Sequence, residues 1–190
     1  MSDLVEGSDG KLRCGWGSSP DIYVDYHDQE WGNAVTDERT LFEKVCLEGF
    51  QSGLSWLTIL RKRPAFREVF HNFDPASVAA MESDDVERLL GDERIIRHRG
   101  KIQATINNAN VLLGLHSEGT TLRALFWDAA PASKAAPVSF ADVPATTPES
   151  TALSKQLKKA GFSFVGPTTC YAAMQAMGVV NDHLQDCHAR

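Results

Sequence analysis

The chain has 190 residues, of which 43% are hydrophobic, and a formal net charge of −6. That length suits one domain, or two tightly packed helical lobes sharing a core, and the apolar content excludes a disordered chain. No stretch approaches the roughly 18–20 consecutive apolar residues of a membrane span, and the N-terminal MSDLVEGSDGKLR lacks the apolar region of a secretory signal, so a cytoplasmic protein without a membrane partner is expected.

Helix signals dominate the chain. Thr36 is placed to cap a helix in which Leu41, Phe42, Val45 and Cys46 line one face, ending near Gly49. The break Gln51-Ser52-Gly53 precedes an apolar run from Leu54 to Leu60, and Pro64 suits the first turn of a helix containing Phe66, Val69 and Phe70. Asp74-Pro75 repeats this logic for a helix through Met81. Ser83 or Asp84 opens another, with Val86, Leu89 and Leu90 inward. A longer helix over 99–113 repeats Ile102, Ile106, Ala109 and Leu113 on one side. Thr120 caps a short helix over 120–127. Residues 128–147, with Pro131, Pro137 and Pro144, read as a long surface connection. Thr147-Pro148 starts a helix that stops before Gly161, and a last helix over 167–177 is closed by Gly178. This pattern leaves little room for a sheet, so the expected class is all-α.

The acidic balance speaks against a nucleic-acid partner, because phosphate binding draws on Lys and Arg. Cations are nevertheless concentrated locally: Arg94, Arg97, Arg99 and Lys101 within 93–101, and Arg61, Lys62, Arg63 and Arg67 within 61–67. Such patches serve a DNA contact, or else are solvated faces.

In a reducing compartment the four cysteines are thiols or metal ligands rather than disulfides. Cys14 and His27 lie near the N-terminus; His183 and Cys187, spaced i and i+4, lie near the C-terminus. Two thiolates and two imidazoles match the softness and coordination number of structural zinc (Zn2+). Such a closed site has no open position for water and would pin both chain ends, removing unfolded-state entropy. Cys46 and Cys170 fall on apolar faces and read as core residues, while His188 is a rival ligand.

Trp16, Tyr23, Tyr26 and Trp31 crowd one stretch without a continuous helical or strand period. They form either core packing or a stacking pocket for a flat, positively charged ligand. Glu48 follows the apolar face Val45, Cys46, Leu47; it points to water, or is buried at a cost that a hydrogen bond or cation must offset. Trp56, beyond the Gly53-Leu54 turn, is placed to fold back beside it.

These blocks carry a resemblance. RCGW at 13–16, YHDQEWG at 26–32, LFEKVCLEGFQSGLSW at 41–56, IIRHRGKIQA at 95–104, GFSFVGPTTCYAAMQAMG at 161–178 and VNDH at 180–183 resemble the bacterial DNA-3-methyladenine glycosylase I family, in order along nearly the whole chain. The resemblance implies a helix-hairpin-helix DNA glycosylase fold, a single domain over 13–190 with the helix-hairpin-helix at about 84–113, and a zinc clasp on Cys14, His27, His183 and Cys187. It also implies that Glu48, Tyr23 or Tyr26, Trp16 and Trp56 surround a base turned out of alkylated double-stranded DNA, with free 3-methyladenine as product and a monomeric enzyme. Leu54, beside Gly53, is the candidate wedge, and Arg94, Arg97, Arg99 and Lys101 near the hairpin are candidate phosphate ligands. Residues 1–12, without a family counterpart, are expected to be a disordered extension. The stretch after Lys101 carries no acid before Glu118, so the aspartate usual after the hairpin in the wider superfamily is missing. That leaves a non-catalytic alkylated-DNA recognition protein of the same fold as the alternative function.

Overall fold

The structure is a computed structural model that describes residues 3–132 and 135–190. Among them, α1 spans Asp21–Gln29, α2 Glu38–Gln51, α3 Trp56–Val69, α4 Pro75–Ala79, α5 Ser83–Leu90, α6 Arg99–Ser117, α7 Leu122–Asp128, α8 Pro148–Ala160 and α9 Pro167–Ala176. The helical class is as expected. The sole sheet among the described residues pairs β1, Leu4–Glu6, antiparallel with β2, Leu12–Cys14, in the register Leu4 opposite Cys14.

That hairpin corrects the expectation of disorder before residue 13, at least from residue 3; Met1 and Ser2 lie outside the described residues. Its strands are short, but backbone bonds tie it down at both ends: Gly15 N–H donates to Asp3 O at 2.9 Å, and His188 N–H donates to Leu12 O at 2.9 Å. The N- and C-terminal segments therefore hold each other.

Cap chemistry sets most helix starts. Asp37, not Thr36, caps α2, its carboxylate accepting from Thr40 N–H at 2.9 Å. Ser55 caps α3 in the same way, so the apolar run after Leu54 and the segment after Pro64 are one helix with the proline inside. Proline removes only one ladder bond there, and burial of Ile59, Leu60 and Phe66 outweighs that loss. Asp74 and Thr147 cap α4 and α8 ahead of their prolines as expected, and Gly161 ends α8 in the left-handed region at φ 107°. Thr121 rather than Thr120 caps α7. The described part of the 128–147 connection contains a 3-10 turn at Phe140–Asp142.

Helix α2 is the spine. Leu41, Phe42, Val45, Leu47 and Phe50 are buried against Phe66 and Phe70, against Ile102 and Ala109 of α6, and against Met174 of α9, in one continuous core. Cys46 and Cys170 are buried within it, as read from the sequence. A second, smaller apolar cluster joins Cys14, Leu184 and Cys187 to Leu4 and Trp16. No helix among the described residues is long and apolar enough to cross a membrane.

Candidate active site and metal clasp

Helix α1 has no simple apolar stripe because its inward face meets a cavity rather than the core. Tyr23 and Tyr26 of α1, Trp16 before it, Trp31 after it, Glu48 of α2 and Trp56 of α3 all line one cavity of about 390 Å³. That volume accommodates a purine-sized ligand. The aromatic rings brace one another: Trp16 meets Tyr23 edge-on at 5.6 Å and Trp31 at 5.0 Å between centroids, and Tyr26 lies 5.2 Å from Trp56. All five aromatics singled out in the sequence, and the carboxylate, are thus brought together.

Glu48 is buried, with 5% of its surface exposed. Its carboxyl makes no hydrogen bond with any described residue, so burial pushes its pKa up to about 8, against a smaller downward pull from the Lys44 cation. Lys44 stands one turn earlier on α2, with its ammonium 5.8 Å from the centre of the Tyr26 ring. Burial lowers the pKa of Lys44, while Glu30, Glu48 and Glu43 oppose that shift. Burial and the charges of Glu48 and Glu30 hold the Tyr26 hydroxyl well above the ordinary phenol range. Behind Tyr26, Arg63 grips Glu30 in a two-pronged pair at 2.6 and 2.7 Å. The cavity therefore pairs an aromatic wall with one under-partnered acid, suited to a flat ligand bearing positive charge and an N–H donor.

Sequence reasoning did not select Lys44, although its i, i+4 spacing to Glu48 was the available signal. It also passed over Asp182, a buried carboxylate in the cavity wall whose Oδ2 accepts from the Tyr171 hydroxyl at 2.5 Å and from Gln175 Nε2 at 2.9 Å. The indole N–H of Trp56 is buried and meets no hydrogen-bond acceptor among the described residues.

The turn after α2 opens beside the cavity. Gly53 takes φ 80°, which lets Leu54 N–H reach back to Gln51 O at 2.7 Å. Leu54 is left 41% exposed at the rim. A hollow of about 220 Å³ lined by Gly53, Leu54, Thr168 and Thr169 shares Glu48, Gln51 and Ala172 with the aromatic cavity.

Cys14, His27, His183 and Cys187 converge at the chain ends, all buried, with their donor atoms within 4.8 Å of one another. His27 Nε2 and His183 Nδ1 lie 3.4 and 3.5 Å from Cys187 Sγ, and Cys14 Sγ lies 3.9 Å from His183 Nδ1. Bonds of about 2.0–2.3 Å in a tetrahedron require nitrogen–sulfur edges of about 3.6 Å, so the donor set fits a four-coordinate ion. The opposite ring nitrogens are already engaged. His27 Nδ1 faces Asp28 Oδ1 at 2.8 Å, and His183 Nε2 faces the Trp31 carbonyl at 2.9 Å. Both tautomers are thereby set to present the other nitrogen inward. Glycines permit the approach: a Cβ on Gly17 would lie 2.4 Å from the His27 ring, and one on Gly32 would lie 2.9 Å from that of His183. Hydrogen bonding from Cys14 and from the two imidazoles holds the Cys187 thiol far below the usual thiol range. His188 does not point at the sulfurs; its Nε2 lies 3.0 Å from Asp28 Oδ1.

The four basic candidates separate. Lys101 is not a phosphate ligand: it is 7% exposed and its ammonium donates to the carbonyls of Phe50 at 2.8 Å and Ser52 at 2.5 Å. It satisfies the carbonyls that the end of α2 leaves unpaired. Arg94 and Arg99 are exposed, but Arg94 is paired with Asp92 and Glu68, and Arg99 with Glu87. Arg97 is exposed and has no ion-pair partner among the described residues. All but Lys101 lie in, or just after, the connection 91–98 between α5 and α6, where the hairpin was expected.

This architecture recurs in known proteins. A family model described as methyladenine glycosylase matches residues 16–190. DNA-3-methyladenine glycosylase 1 of Escherichia coli strain K12 is 51% identical over 178 residues, covering 92% of this chain and 95% of that protein. A crystal structure of 3-methyladenine DNA glycosylase I superposes with a TM-score of 0.90 at 50% identity, over 93% of this chain and 98% of the other. A variant of 3-methyladenine DNA glycosylase I solved in complex with 3-methyladenine superposes with a TM-score of 0.88 at 34% identity, over 93% and 96% of the two chains. With the match running almost from end to end in sequence and in fold, the chain belongs to the methyladenine glycosylase family.

Proposed function

We propose that the aromatic cavity is where this DNA-3-methyladenine glycosylase holds the alkylated base while the bond between base and sugar is hydrolysed. The observation that carries this reading is Glu48, a buried carboxyl with no hydrogen-bond partner among the described residues, at the edge of an aromatic cavity. Methylation at N3 makes adenine in DNA a cation, and a cationic base is already a good leaving group. What the protein must add is selection. A base inside a duplex is out of reach, so the nucleotide rotates out into the cavity, at a lower cost for a damaged base. Indole and phenol faces attract a cationic ring more than a neutral one. Glu48 accepts from the exocyclic amine of adenine and adds charge attraction. Guanine offers an oxygen acceptor at that position, which would face a carboxylate in a dry site and be rejected.

Cys14, His27, His183 and Cys187 hold zinc in this reading. Bound there, the ion supplies a cross-link between the chain ends and no open coordination position, so it takes no part in bond cleavage. The connection 91–98 with its flanking helices acts as the helix-hairpin-helix, grasping phosphates without reading sequence. Arg97 is available directly, whereas Arg94 and Arg99 must exchange carboxylates for phosphates. Leu54 fills the gap left in the base stack, at the rim of the hollow that adjoins the cavity. The enzyme works as a monomer in the cytoplasm, with 13–190 as its one catalytic domain.

Incubation with methylated duplex DNA, followed by chromatography of the released bases, tests the assignment. Free 3-methyladenine is the expected product of the wild type, and Glu48→Gln should release it at least tenfold more slowly while keeping its fold and metal content. An unaltered rate in that variant would overturn the role given to Glu48.

A further inference from the structure

The ion pairs that surround the metal clasp extend beyond the part of the chain that the family model covers, which begins at residue 16. Asp28, whose Oδ1 faces His27 Nδ1 at 2.8 Å, also meets the Arg13 guanidinium, Nε at 3.0 Å and Nη2 at 2.8 Å. The other edge of the same guanidinium is gripped by Asp9, Nη1 at 2.8 Å and Nη2 at 2.7 Å. Arg13 is itself 5% exposed, so its charge is sealed between two carboxylates. Asp9 sits in the β1–β2 turn. Gly7, opposite it, leaves room for the arrangement: a Cβ there would lie 2.5 Å from Arg13 Nη1. His188 closes the cluster from the C-terminal side, with Nε2 3.0 Å from Asp28 Oδ1. With Arg13 already neutralising Asp28, this second group of His27, Asp28 and His188 is not a rival cation site.

We propose that the N-terminal hairpin is a retaining wall for the metal: Asp9 holds Arg13, Arg13 holds Asp28, and Asp28 fixes the His27 ring with Nε2 turned toward the ion, so that the hairpin slows metal loss. Asp9, Arg13 and Asp28 are positioning residues in this scheme and touch neither metal nor base. The chain of contacts joins β1–β2, α1 and the C-terminal segment, the three pieces that must part before the ion can leave. The inference rests on the reading of Cys14, His27, His183 and Cys187 as a zinc site.

The test is the rate at which zinc-loaded protein transfers its ion to a chromophoric chelator in excess. Asp28→Asn should release zinc about 10–100-fold faster, the usual cost of losing the partner of a ligating histidine. Asp9→Asn should accelerate release by a smaller factor, about two- to fivefold as for a part-exposed ion pair, and Asp9→Glu should restore the slow rate. Cobalt-substituted Asp28→Asn should also show a shifted visible ligand-field band, which a loss of overall stability would not produce. The urea midpoint of each metal-free variant checks that the fold persists. Protein that takes up no zinc would overturn the metal reading and this inference with it. Zinc that is present but leaves both aspartate variants at the wild-type rate would overturn the hairpin's role alone.

Discussion

Gly17 abuts the imidazole of His27: a Cβ on Gly17 would stand 2.4 Å from His27 Cδ2 and 2.7 Å from its Cβ. The first atom added there must push the ring out of the clasp. Gly17→Ala should therefore lower zinc content below one ion per chain and reduce the melting temperature. Gly114→Ala, on an exposed turn of α6 with nothing near its Cβ, should retain zinc and gain up to about 1 kcal/mol of helix stability. Metal analysis and melting curves of the two variants decide the matter; full zinc occupancy in Gly17→Ala contradicts it.

Glu48 makes stability depend on pH with an unusual sign. Its pKa rises from 4.5 to about 8 on folding, so between those values the folded chain binds more protons than the unfolded one. Stability must then fall as pH rises through that window. Replacing Glu48 by Gln abolishes this contribution. At pH 7 the variant should be more stable than the wild type by on the order of 2–4 kcal/mol, the advantage shrinking toward pH 5. Urea titrations at both pH values measure it, and a variant less stable at pH 7 than at pH 5, relative to the wild type, has the wrong sign.

The proposed role of Glu48 makes the same ionisation control turnover. A protonated Glu48 offers the cationic base no charge attraction. Accordingly kcat/KM on methylated DNA should climb as pH increases through about 8 in the free enzyme. Glu48→Gln should be flat over that range at its lower level. A wild-type profile that is flat from pH 6 to 9 would remove Glu48 from the rate-controlling ionisation.

Arg97 and Lys101 lie four residues apart yet should behave oppositely. Arg97→Ala should reduce the slope of log affinity against log salt by about one, as for one lost phosphate contact. Lys101→Met should leave that slope alone and instead cost roughly 1–3 kcal/mol of stability, by stranding the carbonyls of Phe50 and Ser52. DNA titrations at several salt concentrations, paired with urea melts, separate the two. Equal slopes for wild type and Arg97→Ala would discard Arg97 as a phosphate ligand.

The grouping of Cys14, His27, His183 and Cys187 was legible because few side chains suit a soft ion, and that chemistry survives ignorance of the fold. The aromatic group and Glu48 were legible as a set, but whether they packed as core or lined a pocket was not, since composition is the same in both cases. Helix α1 escaped because its inward residues, Tyr23, Tyr26 and His27, face a cavity and a Cys/His cluster, which breaks the apolar period that betrays a helix. The start of α3 was misplaced because a proline reads as a beginning, while the cap that mattered was Ser55. Residues 3–12 looked structureless since a hairpin this short owes its order to Arg13 and the C-terminal segment, partners distant in sequence or hidden by burial. Lys101 was misread for a related reason. A run of cations gives number but not direction, and its side chain turns inward.

That inward turn has a mechanical meaning. Because one ammonium, that of Lys101, ties the third residue after the 91–98 connection to the carbonyls of Phe50 and Ser52, α6 and the Ser52–Leu54 turn are yoked. Residues 91–98 are thereby linked to the turn that carries Leu54 through the first turn of α6 and a single side chain. In the proposed reading, where residues 91–98 hold a sugar-phosphate strand and Leu54 enters its stack, that tether makes the two acts mechanically dependent on each other.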